Sequence, residues 1–317
     1  MHSVKGAKTL YNKKPLLIRI WQHKVIYLLL LPIVIHVVIF SYIPMYGLTL
    51  AFRDFRIGDP LFPVGEAARW VGLRNFQDFF SSIYAFRTIR NTILNSVFSL
   101  IFAFWVPIVF ALLLNEIRHI KYKRTVQTIS YLPYFISSAI IAGLAVTFLN
   151  ERSGMVNNII EFFGGQRVEW LMIPEAFRPI HITIGSWQTF GWGSILYLAA
   201  IAGIDQNLYE AAKIDGANRL QQAWHITLPG ISPTIFILLI FTIGNMMGGD
   251  VERILLMYNP SVYSTADVLG TYIYRQGMEM SRFSLSTAVG LFASTVNFAL
   301  LILANWSSRR ITGNSVW

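Results

Sequence analysis

The chain has 317 residues, of which 54% are hydrophobic and 13% charged, with 23 Phe, 9 Trp and a mean hydropathy of +0.51. Globular domains carry about 25% charged residues, so this composition excludes an ordinary water-soluble domain and requires that much of the surface face lipid. The formal charge of +10 raises nucleic acid as a partner, which its distribution along the chain argues against, and the absence of cysteine excludes disulfides and thiolate metal sites.

Residues 1–24 carry Lys5, Lys8, Lys13, Lys14, Arg19 and Lys24 and no acid, as expected of a cytoplasmic tail at an anionic membrane surface. Gly6-Ala7-Lys8-Thr9 lacks the upstream glycine and the preceding strand of a phosphate loop. The first apolar run, 25–42, is long, and no small-x-small cleavage pattern follows in Ser41-Tyr42-Ile43-Pro44-Met45, so it reads as a retained span rather than a signal peptide. Five more runs, 92–114, 126–149, 179–202, 231–248 and 283–306, have the length of about 20 residues that a bilayer demands. The expected fold is therefore an all-α polytopic membrane protein: a transmembrane domain over 25–306 with about six spans, and short tails at 1–24 and 307–317. Pro32, Pro107 and Pro133 fall inside spans, which neighbouring helices can accommodate. Trp70, Trp170 and Trp306 lie near span ends, where an interfacial belt places them.

With both termini cytoplasmic, the segments 1–24, 115–125, 203–230 and 307–317 carry fourteen Lys and Arg against four acids, Glu116, Asp205, Glu210 and Asp215. The opposite face carries twelve Arg and twelve acids, and all eight lysines fall on the cytoplasmic side. This is a positive-inside bias, and it makes the basic charge a matter of topology rather than of nucleic-acid binding. On the outer side, Val71, Leu73, Phe76, Phe79, Phe80, Ile83 and Phe86 recur at helical spacing. Such a helix either lies on the outer interface or packs across the top of the bundle. Segments 150–178 and 249–282 carry scattered Gly, Pro and charge and offer no unique signature.

No Walker-type loop is present, and His2, His23, His36, His119, His181 and His225 show no metal-ligand spacing. Glu210 and Asp215 stand five apart across a glycine, which suits surface charge or a partner contact better than acid–base catalysis. No Asp or Glu lies in the middle of any expected span. Proton- and ion-coupled carriers place carboxylates there, so energy is expected from a partner. His36, the one ionisable group well inside a span, reads as a neutral packing residue. Within the fourth span, 184–194 is rich in Gly, hydroxyl and aromatic groups. Small residues allow close helix packing; aromatic faces with amides and hydroxyls also suit a sugar. Trp187, Gln188, Trp192 and Tyr197, with Asn245 of the fifth span, are the candidate path lining on the second view.

Between those two spans, 204–229 is polar. Good helix formers over 208–214 present Leu208, Ala211, Ala212 and Ile214, Asp215-Gly216 interrupts, and a second helix through Leu220, Ala223 and Trp224 should stop near Pro229. Glu210-Ala211-Ala212, Gly216 four positions on, then Ile226, Leu228 and Pro229 resemble the EAA loop of permease subunits of binding-protein-dependent ABC importers, and Ile214-Asp215-Gly216-Ala217 looks like the carbohydrate branch. The resemblance runs from Tyr27 onward and is tightest over 191–229. Relatives often carry Pro after the Ile before the loop, whereas Asp205-Gln206 follows Ile204 here. Tyr131-Leu132-Pro133 and Leu255-Leu256-Met257-Tyr258-Asn259-Pro260 look like permeases for oligosaccharides and polysaccharide fragments, uronate polymers such as alginate or pectin fragments among them.

The resemblance implies a type I importer of the bacterial inner membrane. This subunit would pair with a second permease, in a heterodimer resting on two ATPase subunits, and an extracytoplasmic solute-binding protein would deliver a saccharide. ATP and Mg would sit in the ATPases, with no cofactor, metal or nucleic acid on this chain. Glu210, Ala211, Ala212, Asp215, Gly216, Ala217, Ile226, Leu228 and Pro229 would form the coupling element in the ATPase groove. The competing readings are a self-contained carrier or channel, an importer permease for a non-sugar solute, and a membrane enzyme such as a glycan transferase, which would need an acid or metal cluster at the membrane face.

Overall fold

The computed structural model describes residues 21–60, 68–313 and 315–316. Most of the basic N-terminal tail, with Gly6-Ala7-Lys8-Thr9, and part of the C-terminal tail lie outside the described residues. Among the described residues regular structure is helical, and β pairing is confined to one isolated bridge between Arg53 and Trp70. Two units are distinguished, Met1–Thr49 and Leu50–Trp317.

In the first unit, α1 (Lys24–Val37) is apolar on every side and buries none of its residues. A helix hydrophobic all round needs either a protein core or lipid around it. Pro32 lies inside the helix, a π-type turn follows at Val38–Tyr42, and the His36 ring lies 4.7 Å from that of Phe40.

In the second unit, α2 (Arg74–Phe80) stops at Ser81, and α3 (Ile83–Phe102) begins after the extended Ser82. The apolar spacing read across 76–86 is thus divided between two helices. Phe79 is buried against Tyr272 and Phe292, whereas Phe80, Ile83 and Phe86 are exposed. α4 (Val106–Glu116) carries Pro107 in its first turn, where the missing N–H costs nothing. α5 (Ile120–Tyr131) and α6 (Ser138–Leu149) were expected as one span from 126. They form a pair bent by 98° instead, because a short 3₁₀ turn at Leu132–Phe135 holds Pro133 and Ser137 caps a new helix by accepting from the Ile140 amide. α7 (Met155–Phe162) leads to α8 (Pro174–Ala202), 29 residues long. α9 (Gln206–Ile214) and α10 (Arg219–Gln222) form the polar loop. The helix expected to stop near Pro229 does not. A π-type turn at Ala223–Thr227 runs directly into α11 (Leu228–Gly244), whose first turn tolerates the proline. α12 (Val251–Met257), α13 (Leu269–Tyr274) and α14 (Phe283–Thr312) complete the fold.

Among the described residues four helical stretches are long and apolar enough to cross a membrane, Lys24–Phe52, Ile83–Glu116, Arg219–Gly244 and Phe283–Arg310, with a fifth if the bent pair counts as one span. α8 covers the whole of 179–202 but falls short in apolarity, because its middle is the Gly, Ser, Thr, Gln and Trp stretch noted above.

Burial in α3 runs against the soluble pattern. Its buried positions are Ala85, Thr88, Asn91, Thr92 and Asn95, while Ile93, Ile101 and Phe102 are exposed. Polar groups inside must then find partners. Asn91 Nδ2 donates to the carbonyls of Ser264 and Asp267 at 3.0 Å, and Thr92 Oγ1 accepts from the Leu269 amide at 2.9 Å. Asp267, fully buried, accepts from Arg87 at 2.8 Å, from Arg275 at 2.9 and 3.1 Å and from Thr271 at 2.8 Å. Burial opposes the Arg275 charge, but the Asp267 carboxylate outweighs it and raises the Arg275 pKa. Close approach elsewhere relies on glycine: any side chain at Gly191 of α8 would run into the Ser130 backbone of α5. At the loop end, Ile108 and Ala111 of α4, Tyr197 and Ile201 of α8 and Ile231 and Ile235 of α11 form one apolar cluster.

Replacing Asp267 by Asn should lower unfolding stability in detergent by ~3 kcal/mol, the low end for breaking a buried ion pair because Arg87 stays partly solvated. A thermal or denaturant midpoint unchanged from the parent would contradict that role.

Candidate functional site

Two features stand out, and the same helices build both. A cleft of about 600 Å³ opens between α3, α8 and α11. Its wall includes Thr92, Asn95 and Ser99 from α3, His181, Thr189 and Tyr197 from α8, Thr242 and Asn245 at the end of α11, and Arg253 from α12. The lining is thus apolar with scattered hydroxyl and amide groups and one acid, Asp250, which is ion-paired with Arg253.

Of the five residues proposed from sequence to line a path, Tyr197 and Asn245 border this cleft. Gln188 does not, but it stands just behind. Its Nε2 donates to the Ile136 carbonyl at 3.0 Å, and its Oε1 accepts from Arg253 at 3.1 Å. Trp187 and Trp192 are both partly exposed outside the cleft lining, and Trp192 stacks on Tyr134 with ring centroids 4.8 Å apart. Sequence reasoning missed the contribution of α3. Its signal was present as polar residues at 88, 92, 95, 96 and 99, a helical stripe inside an apolar run. His181 and Arg253 gave no such signal, because only tertiary packing brings them to the same wall.

The second feature is the loop from 204 to 229. Asp205 caps α9 by accepting from the Asn207 amide at 3.0 Å. The helix ends in a Schellman motif: the Ala217 amide donates to the Ala212 carbonyl at 2.8 Å, and the Gly216 amide to that of Lys213 at 3.1 Å. Gly216 takes φ +81°, which a β-carbon would disfavour. Asn218 and Gln221 then form a capping box at the start of α10, with bonds of 2.9 and 2.8 Å. Two cap motifs back to back thus give the loop a fixed corner.

Within that frame Glu210, Ala211, Asp215, Gly216 and Pro229 are exposed, while Ala212, Ala217, Ile226 and Leu228 are half-buried. Leu208, Ile214, Leu220 and Trp224 are exposed apolar groups, Ile214 at 87% and Leu220 at 77%, so the corner presents an unpartnered apolar face. Tyr209 and Thr227 hydroxyls meet at 2.9 Å, and Arg219 bonds the Glu116 carboxylate at 2.6 Å, which fastens the loop to the end of α4. Behind it lies a hollow of about 770 Å³ with Arg118, Lys123 and Lys213 in its wall. Among the described residues no group of three or more His, Asp or Glu is placed to hold a metal ion.

The family described as "Binding-protein-dependent transport system inner membrane component" matches residues 108–313. The chain is 40% identical over 306 residues to the polygalacturonan/rhamnogalacturonan transport system permease protein YteP of Bacillus subtilis (strain 168), covering 96% of this chain and 94% of that protein. It is 41% identical over 289 residues to protein LplB of the same organism, covering 91% and 90%. Among solved structures it is similar, at 44% identity and a TM-score of 0.86, to a chain of a bacterial ABC transporter involved in the import of the acidic polysaccharide alginate, with 94% of this chain and 99% of that one covered. A bacterial alginate ABC transporter in complex with alginate pentasaccharide-bound periplasmic protein aligns at 43% identity and a TM-score of 0.87, over 95% and 99%.

A β-carbon at Gly185 would lie 2.9–3.1 Å from the Arg253 guanidinium. Gly185→Leu should therefore displace Arg253, at about 1–3 kcal/mol of strain, and narrow the cleft. Because the chain has no native cysteine, a Ser99→Cys probe reports this directly: its labelling by a small thiol reagent should slow, and an unchanged rate would refute the geometry.

Proposed function

This chain belongs to the family of binding-protein-dependent transport system inner membrane components, and from that premise we propose that it forms half of the path of an ATP-driven importer for oligosaccharides or polysaccharide fragments, with uronate oligomers as cargo. As a family member it is a multi-pass transport subunit of the bacterial inner membrane, and ATP hydrolysis is the work of a separate chain.

One observation carries the reading. α8 and α11 are the two helices that the loop joins, and both also wall the cleft, while the Arg219–Glu116 contact ties the loop to the continuation of the third wall. A displacement of the loop therefore reaches three walls of the cleft, α8 and α11 directly and α3 by way of α4. The exposed Ile214 and Leu220 give an ATPase groove something to grip, and the double cap holds the corner stiff enough to transmit force. In this account Glu210, Ala211, Ala212, Asp215, Gly216 and Ala217 form the contact, and Ile226, Leu228 and Pro229 join it to α11. The cleft opens alternately to the two sides as a rigid-body change, biased by the nucleotide state of the partner.

The cargo reading draws on the names of the relatives, which describe transport of polygalacturonan/rhamnogalacturonan and of alginate. Both are acidic polymers. The remaining parts of the assembly are a second, distinct permease, two ATPase subunits and an extracytoplasmic solute-binding protein. The topology has six spans, with α8 as the fourth and both termini cytoplasmic. α8 crosses among other helices, where its hydroxyl and amide groups meet protein and path rather than lipid.

Gly216→Pro forces φ from +81° to about −65° and removes the amide that bonds Lys213, and Glu210→Lys reverses the charge on the exposed corner. Both variants should insert and pair with the second permease but lose cargo-stimulated ATP hydrolysis. Normal coupling in both would remove the loop from the mechanism. An Ala211→Cys probe in this cysteine-free chain should label only from the cytoplasmic side of sealed vesicles, and labelling from outside would end the topology.

A further inference from the structure

Three residues of the cleft wall are at least nine-tenths buried and keep a nitrogen with no hydrogen-bond partner: Asn95 at Nδ2, His181 at Nδ1 and Arg253 at Nε. Protein interiors leave few polar atoms unpaired, and three of the unpaired nitrogens among the described residues gather around this one cleft.

Charge narrows the kind of group that suits them. Arg178 Nε donates to Asn95 Oδ1 at 2.6 Å, and its guanidinium lies over the Phe98 ring at 5.6 Å. Among the described residues neither Arg178 nor its neighbour Arg90 makes an ion pair, whereas Arg87 and Arg275 share the single carboxylate of Asp267 and Arg253 is held by Asp250. Arg178 and Arg90 thus carry charge with no carboxylate at ion-pair distance among the described residues. Of these, Arg90 is exposed and Arg178 half-buried, while Arg253 is buried and already paired with Asp250. Unpaired donors alone would accept any hydroxyl of a neutral sugar. A surplus of positive charge beside them, in a low-dielectric wall, favours a group that is acceptor-only and anionic. A carboxylate meets both conditions.

We propose that Arg178, with Asn95 and Arg253, reads the carboxylates of sugar-acid cargo, so that this subunit selects acidic over neutral saccharides within the membrane path itself. The inference rests on the importer reading above and goes beyond it by assigning selectivity to named residues of this chain. Asn95 links the two: its oxygen accepts from Arg178, and its unpartnered amide nitrogen, closed to solvent here, reaches cargo as the cleft opens.

The test uses the complete import complex, with its ATPases and solute-binding protein, in proteoliposomes, and compares uptake of trigalacturonate with that of its neutral methyl ester. Arg178→Gln should raise the half-saturating concentration of trigalacturonate by roughly ten-fold, the loss expected for one charge-assisted hydrogen bond. Arg178→Lys keeps the charge but loses the planar fork that bonds Asn95 and stacks on Phe98, so its half-saturating concentration should fall between those of the parent and Arg178→Gln. Asn95→Asp is the second variant: it pairs with Arg178, so it assembles, but it sets a negative charge where the cargo carboxylate belongs and should depress trigalacturonate uptake at least as much as Arg178→Gln. Equal losses in the Gln and Lys variants, or unaltered uptake in Arg178→Gln and Asn95→Asp, would reduce these residues to a structural role and overturn the inference while leaving the cargo reading intact. A parent complex that carries the methyl ester but not the acid would overturn the cargo reading, and the inference with it.

Discussion

The buried carboxylate of Asp267, gripped by Arg87 and Arg275, is the interaction on which the polar seam of the bundle depends. It joins α3 to the segment that leads into α13, and Asn91 and Thr92 extend the same seam with three further bonds. An ion pair at such a place carries a desolvation penalty that only good geometry and full hydrogen bonding offset, and Asp267 has both. The arrangement reverses the logic of a soluble protein. Apolar side chains of α3 face outward, where hydrocarbon gives them a home, and the polar stripe faces inward, where each group must be matched by another.

That reversal also explains why the cleft sits where it does. A stripe of hydroxyls and amides cannot face lipid, so it gathers on the inner side of α3 and meets the polar middle of α8. Where the seam with α13 ends, partners come from other segments, as where Ser96 donates to the Met246 carbonyl at 2.5 Å. Asn95 marks the boundary, with one atom satisfied by Arg178 and one left over. The seam and the cleft wall are therefore built by successive turns of one helix.

The loop at the far end obeys different rules. It is short and polar, and its geometry follows from local hydrogen bonds: an Asp cap, a glycine stop and a reciprocal Asn–Gln cap. Local motifs of this kind hold their shape without a core behind them. Its connection to the cleft is mechanical, since the helices leaving it are the cleft walls.

Much of this was legible in the amino-acid order alone. Apolar runs of bilayer length located the long helices, because a lipid environment imposes one period and one length, and the break at Gly216 followed from a conformational freedom that only glycine has. Pro229 misled, because a proline that ends a helix and one that begins the next look alike until the π-type turn before it is seen. Pro133 likewise marked a disturbance without revealing a bend of 98°. Tertiary structure decided which residues face one another. Trp187 and Trp192 looked like sugar platforms by type, yet the pitch of α8 turns them away from the cleft and brings His181, Thr189 and Tyr197 to it. Arg178 meets Asn95 across 83 positions, and Arg253 meets Gln188 across 65. Periodicity reports the face of a single helix, whereas the partner of that face depends on how several helices pack, and no local pattern encodes that.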